Sequence, residues 1–155
     1  MIAGLLLAGF AVTASPPVPL PIPITALYGR PQDETAMLAD INAARQAAGV
    51  APLALDPRLT KIARTFARDM LARRYFGHYS PEGTSLADRL QRARLEYTCA
   101  GENLAFNQDE ARAQDGLLNS PAHRAAELDP RYRKVGIGVV GASVYGAVFV
   151  QEFSD

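Results

Sequence analysis

The chain has 155 residues, 48% hydrophobic and 21% charged, with 16 basic and 16 acidic side chains and a formal net charge of zero. That length suits one domain with its own core, and the composition is globular rather than disordered. The balanced charge argues against nucleic acid as a main partner, because counterion release needs a basic surface.

Residues 1–14 carry no charged side chain, and Ile2 to Val12 form an apolar run. It has about the length of a signal-peptide core and falls short of the roughly twenty residues a membrane helix needs. Val12-Thr13-Ala14 supplies the small residues of a cleavage site, so residues 1–14 read as a signal peptide. The mature chain is then secreted or periplasmic, with no stable membrane span after cleavage. Residues 15–32 follow as a linker, because the alternating prolines from Pro17 to Pro23 enforce extended geometry and forbid helix. The folded domain is placed at 33–155.

Its first helix carries Met37, Leu38, Ile41, Ala44, Arg45 and Ala48 at helical spacing and stops at Gly49. Asp56-Pro57 opens a second helix, with aspartate as cap and proline in the first turn. Its stripe of Leu59, Ile62, Ala63, Phe66, Ala67, Met70 and Leu71 is the strongest periodic signal in the chain. Arg58, Lys61, Arg64, Arg68 and Arg73 fall mostly off that stripe and read as a solvated face. Gly77 ends this helix just before His78. Ser85 to Asp88 resembles a capping box and starts a short third helix through Arg94. Glu102 is placed in a loop leading into extended chain. Asp109 to Asn119 is helical, and Ser120-Pro121 opens a further turn that carries His123. Val135 to Val140 and Tyr145 to Phe153 read as an antiparallel hairpin with its turn near Gly141-Ala142-Ser143. Helices followed by a small sheet indicate an α+β layered domain.

The chain has two histidines, and each interrupts an apolar pattern with a short polar segment. They are Phe76-Gly77-His78-Tyr79-Ser80-Pro81 and Asn119-Ser120-Pro121-Ala122-His123-Arg124, with Gly101-Glu102-Asn103-Leu104-Ala105 between them. Two imidazoles and a carboxylate can bind a metal or move protons. The separation of His78 and His123 carries no local metal signature. No serine sits in a Gly-x-Ser-x-Gly elbow, and Ser80 and Ser120 precede prolines, which is turn and cap chemistry. Cys99 is the only cysteine, so the chain has no internal disulfide, and its apolar neighbours suit an inert buried thiol.

In this order the segments resemble the CAP superfamily, the SCP-like extracellular proteins that include cysteine-rich secretory, antigen-5 and pathogenesis-related proteins. The likeness is closest to its disulfide-free bacterial branch. It rests on the three motifs above, on Asn42, Arg45, Gly49 and Leu53, and on Val135-Gly136-Ile137-Gly138 with Gln151-Glu152-Phe153. The resemblance implies a three-layer α-β-α sandwich with a surface cleft lined by two histidines and two acidic residues. His78, Glu102 and His123 match three of those positions, and the fourth falls on Ser120. Leu117 stands where the family usually has tryptophan, and Ala126 and Glu127 replace the usual asparagine and aliphatic residue.

Three readings of the cleft stay open. It is a binding module whose His78 and His123 hold a divalent cation such as zinc, with a small hydrophobic molecule, lipid or cell-envelope component as partner. It is a metal-assisted hydrolase with Glu102 as base. Or the trio is a hydrogen-bonded lock that holds the fold. Leu86, Leu90, Leu95 and Tyr97 either line a groove or form the core face of the third helix. No apolar stripe is left over once the helices pack, and the chain is read as a monomer.

Overall fold

A computed structural model describes residues 16–20 and 26–155. The expected signal peptide therefore lies outside the described residues. Two short strands come first, β1 (Val18–Pro19) and β2 (Leu27–Gly29). Then follow α1 (Pro31–Ala47), β3 (Ala54–Leu55), α2 (Pro57–Ala72), β4 (Tyr75–Phe76) and α3 (Leu86–Arg92). The second half holds β5 (Ala100–Asn107), α4 (Glu110–Asn119), α5 (Pro121–Glu127), β6 (Lys134–Ala142) and β7 (Ala147–Ser154).

The main sheet runs β2-β6-β7-β5, with β3 parallel to the start of β6 and every other pairing antiparallel. Both halves of the expected hairpin are present. The turn, however, is a 3-10 segment at Ser143–Tyr145, slightly later than the sequence suggested. Two further differences concern segments read as irregular. Glu102 lies within β5, paired along its whole length with β7, rather than in a loop. The described parts of the proline-rich stretch are docked: β1 pairs with β4, and β2 pairs with β6 through Leu27↔Ala142 to Gly29↔Val140. Helix α1 begins at Pro31, whose missing N–H is no loss in a first turn.

Strand alternation builds a core on each side of the sheet. Val135, Ile137, Val139, Phe149 and Phe153 face α1 and α4, where they meet Met37, Ile41, Ala113 and Leu117. Val140, Val148, Val150 and Leu104 face α2, where they meet Ala63, Phe66, Ala67, Met70 and Leu71. The expected stripe of α2 is thus its core face, except that Ile62 is only half-buried. The glycines of Val135-Gly136-Ile137-Gly138 bring helix and sheet into contact. A Cβ at Gly136 would stand 2.2 Å from the Leu59 carbonyl carbon, and one at Gly138 would stand 2.3 Å from the Arg64 nitrogen. The backbone of α2 therefore lies directly on β6. The result is the expected three-layer α-β-α sandwich.

Strand β7 runs through the centre with both faces buried. Near its end each face turns polar at once, with Gln151 on the α1–α4 side and Glu152 on the α2–α3 side. Both residues are fully buried.

Candidate functional site

Local chemistry fixes each side chain that reaches this end of the sheet. After β4, the Ser80 hydroxyl accepts from the Thr84 amide at 3.1 Å and donates to Glu82 Oε2 at 3.0 Å. That confirms turn chemistry for Ser80 and shapes the loop that carries His78. The capping box is real: Ser85 Oγ accepts from the Asp88 amide, and Asp88 Oδ2 accepts from the Ser85 amide. It starts α3 where Arg89, one turn in, points back at the sheet. The register of β5 on β7 places Glu102 directly opposite Glu152.

Glu102 is the hub. Its Oε1 lies 2.8 Å from His78 Nδ1, and its Oε2 accepts from Arg89 Nη2. Its side chain is only 4% exposed, whereas that of His78 is 33% exposed. The carboxylate is thus the floor of the site and the imidazole its mouth. Arg89 lies 3.5 Å over the ring centre of Phe66, and its Nε stands 3.5 Å from Glu152 Oε1. Two carboxylates face each other across adjacent strands, a repulsive arrangement, with one guanidinium between them. Both Glu152 oxygens lack a hydrogen-bond partner among the described residues. Burial, and then the neighbouring Glu102 charge, push the Glu152 carboxyl up to about 8.

His123 comes from the opposite layer. Asn103 Nδ2 donates to its backbone carbonyl at 3.0 Å and to Gln151 Oε1 at 3.0 Å. Gln151 continues to Gln114, and Gln114 to Glu127 Oε2 at 2.8 Å. This buried chain of amides ties α4 and α5 to the sheet and sets the position of His123. Burial lowers the pKa of His123, and the nearby His78 lowers it further. Both effects favour the neutral ring, the form that ligates a metal.

The structure therefore brings His78 and Glu102 into direct contact, with His123 near His78. Ser120 stands between α4 and α5, and its hydroxyl makes no capping bond to α5. Leu86 and Tyr97 line a hollow of about 320 Å³ with His78, Tyr79 and Glu102. Leu90 instead points into the core at 1% exposure. The sequence reading missed Arg89 and Glu152. Arg89 had no signal of its own on a short polar helix. Glu152 had one, as a carboxylate inside the apolar run Val148 to Phe153.

The nitrogen donors of the site are two imidazoles. His123 is held neutral, and His78 is oriented through Nδ1 by a buried carboxylate, the arrangement that aims an imidazole at a metal. Glu102 has both oxygens engaged, so it acts behind His78 rather than as a third ligand. No group of three or more histidine, cysteine, aspartate or glutamate side chains is gathered for a metal among the described residues. A closed structural zinc site therefore does not form among the described residues, and the nitrogen donors at hand are His78 and His123.

The model of the cysteine-rich secretory protein family, CAP, matches residues 38–153. The chain belongs to the CAP family. It is 35% identical over 113 residues to the Bacillus subtilis protein YkwD, covering 72% of this chain and 43% of that one. The B. subtilis membrane protein YlbC is 38% identical over 99 residues, covering 63% of this chain and 29% of that one. The chain thus spans less than half the length of these curated relatives. Among solved structures it is similar to an extracellular Bacillus anthracis protein containing an SCP domain, with TM-score 0.73, 31% identity, and coverage of 80% of this chain and 40% of that one. It shares its fold with an outer surface protein of Borrelia burgdorferi, with TM-score 0.78, 22% identity, and coverage of 84% of this chain and 98% of that one.

Proposed function

We propose that this CAP domain is an extracytoplasmic binding module whose ligand is held at the imidazoles of His78 and His123. The carrying observation is the clamp on Glu102. His78 takes one carboxylate oxygen and Arg89 the other, which suits a group that orients a histidine better than one that accepts a proton from substrate. The expected export signal and the extracellular B. anthracis relative support a place outside the cytoplasm. No helix among the described residues is long and apolar enough to cross a membrane.

Zinc or a similar cation would be held by the ring nitrogens of His78 and His123. It would supply a Lewis-acid contact for an anionic or carbonyl group of the ligand. The chain's own residues supply the rest. Glu102 fixes the His78 ring, Arg89 fixes Glu102, and the Asn103–Gln151–Gln114–Glu127 chain fixes the backbone of His123. Tyr79, Leu86 and Tyr97 give the hollow an apolar wall.

Zinc titration of the full chain by calorimetry tests this directly. The parent should bind one equivalent with micromolar affinity, more weakly in acid, and the His78→Ala/His123→Ala variant should not bind. Equal binding by parent and variant, or none by the parent, would sink the metal-bearing cleft.

A further inference from the structure

The zero net charge of the chain hides a division between its two helical layers. Helices α2 and α3 carry six basic side chains (Arg58, Lys61, Arg64, Arg68, Arg89 and Arg92) against Asp69 and Asp88. Helices α1, α4 and α5, on the other side of the sheet, carry three basic side chains against six acidic ones. Six less two leaves the first layer four positive charges in excess, and three less six leaves the second three negative. The acids of the second layer feel one another. Burial, and then Asp40, Asp33 and Asp109, push the Glu110 carboxyl up to about 7. An anionic partner is thus drawn to the α2–α3 layer and repelled from the α1–α4 layer, which orients its approach.

Salt bridges neutralise only part of the positive layer. Arg64 is matched by Glu34, and Arg89 by Glu102 and Glu152. Arg58, Lys61, Arg68 and Arg92 are exposed and form no salt bridge among the described residues. The two acids of the layer are engaged elsewhere. Asp69 accepts from the Tyr75 hydroxyl and stands 3.5 Å from Arg73, and Asp88 is held by Ser85. Arg58, Lys61 and Arg68 fall within one exposed stripe of α2, about 15 Å long at 1.5 Å per residue. Arg58 Nη2 donates to the carbonyls of Ala93 and Arg94 at 3.0 and 2.8 Å. Those bonds hold its guanidinium beside the end of α3 and leave its charge uncompensated. Arg92 borders the same concavity as Arg58 and Lys61. The four cations form a track along α2 that broadens at α3.

We infer that the outer face of α2 and α3 binds a linear acidic polysaccharide whose carboxylates sit on Arg58, Lys61, Arg68 and Arg92. A row of cations fits a chain of spaced charges rather than one small anion, and a guanidinium fork matches a carboxylate with two hydrogen bonds. The face offers less to other polyanions. The large exposed apolar and aromatic side chains among the described residues are Val18, Tyr28, Leu55, Val144 and Tyr145, none of them on α2 or α3. Phe66 is 3% exposed, with the Arg89 guanidinium over its ring. Single-stranded nucleic acid therefore finds no platform on which its bases can stack, and a bilayer finds no apolar wedge. The inference does not rest on metal binding at His78 and His123.

The test is calorimetry of the full chain with polygalacturonate, beside its uncharged methyl ester, phosphatidylglycerol vesicles and single-stranded DNA at equal charge. Polygalacturonate should bind saturably and the most tightly of the four. Its affinity should fall about tenfold or more between about 50 and 200 mM salt. Lys61→Glu/Arg92→Glu should lose at least about tenfold in affinity while its circular dichroism and melting match the parent. Arg68→Gln, a milder change, should lose on the order of threefold. Arg124→Glu/Arg133→Glu makes the same change in net charge at two exposed cations outside this face, and it should bind within about twofold of the parent. The His78→Ala/His123→Ala variant should bind polygalacturonate as the parent does, so failure here and failure of the metal cleft are read separately. The inference is overturned if the parent shows no saturable binding, or if the methyl ester, the vesicles or the DNA bind as tightly as polygalacturonate. It is also overturned if both α2–α3 variants bind within about twofold of the parent, or if the Arg124/Arg133 variant loses as much as the Lys61/Arg92 one.

Discussion

Glu152 is the residue that sets the electrostatics of the site. A fully buried carboxyl with no hydrogen-bond partner among the described residues, facing a second carboxylate across the ladder, is stable only while it keeps its proton. Its pKa of about 8 in the fold exceeds the ordinary value of 4.5, so the native state binds the extra proton and unfolding releases it. Stability is then fully present below about pH 4.5 and declines as pH rises through about 8. Glu152→Gln should remove that slope. Its melting temperature should match the parent near pH 5 and exceed it increasingly toward pH 9, by about 2–4 kcal/mol in unfolding free energy. Parallel pH–melting curves for the two proteins would refute a buried protonated Glu152. His123 runs the other way: its depressed pKa means stability is lost as pH falls below about 6.5. At this scale the sequence spoke through residue type. His78 and Glu102 stood out because polar groups broke an apolar pattern, and the structure puts them 2.8 Å apart. Arg89 could not be found that way, because arginine on a short polar helix looks solvated until the stacking on Phe66 is seen.

Among the elements, α2 and β6 carry the strongest coupling between sequence and packing. The apolar stripe of α2 showed which face is buried, but not what it meets. The answer lies in the alternation of β6, where Val135, Ile137 and Val139 face one layer and Gly136 and Gly138 the other. Gly138→Ala would drive a methyl group into the α2 backbone at Arg64. Overpacking of that kind typically costs about 1–3 kcal/mol, so the variant should melt several degrees below the parent. An unchanged melting temperature would mean that the helix can lift off without cost. Elements misread from sequence were those whose partners are distant along the chain. Gly101 before Glu102 suggests a loop, yet pairing with β7 overrides that local preference. The proline-rich stretch looked like a free spacer because prolines cannot form helices. They do not prevent Val18–Pro19 and Leu27–Gly29 from pairing at sheet edges.

Across the whole molecule, stability concentrates on the central strands. β6 and β7 are buried along almost their full length and contribute to both cores. The segment from Gly77 to Ala93 carries the histidine loop and α3, buries little apart from Ser80 and Leu90, and borders the histidine hollow. Hydrogen exchange should therefore find the slowest amides in β6 and β7 and the fastest of the ordered ones between residues 77 and 93. Uniform protection across those two regions would contradict this division. The layered architecture was legible from element order and from the family resemblance. The two-sided polar end of β7 was not, because Gln151 and Glu152 acquire their separate roles only when the sheet sends them to opposite layers.

The pairing of β1 with β4 also ties the histidine loop to a strand from the start of the described chain. Pro17 packs against Gly77, where an added Cβ would lie 3.1 Å from its Cα, and the next residue is His78. The lip of the histidine hollow is therefore built from two segments about sixty residues apart, and whatever loosens β1 from β4 loosens the backbone that presents the His78 ring.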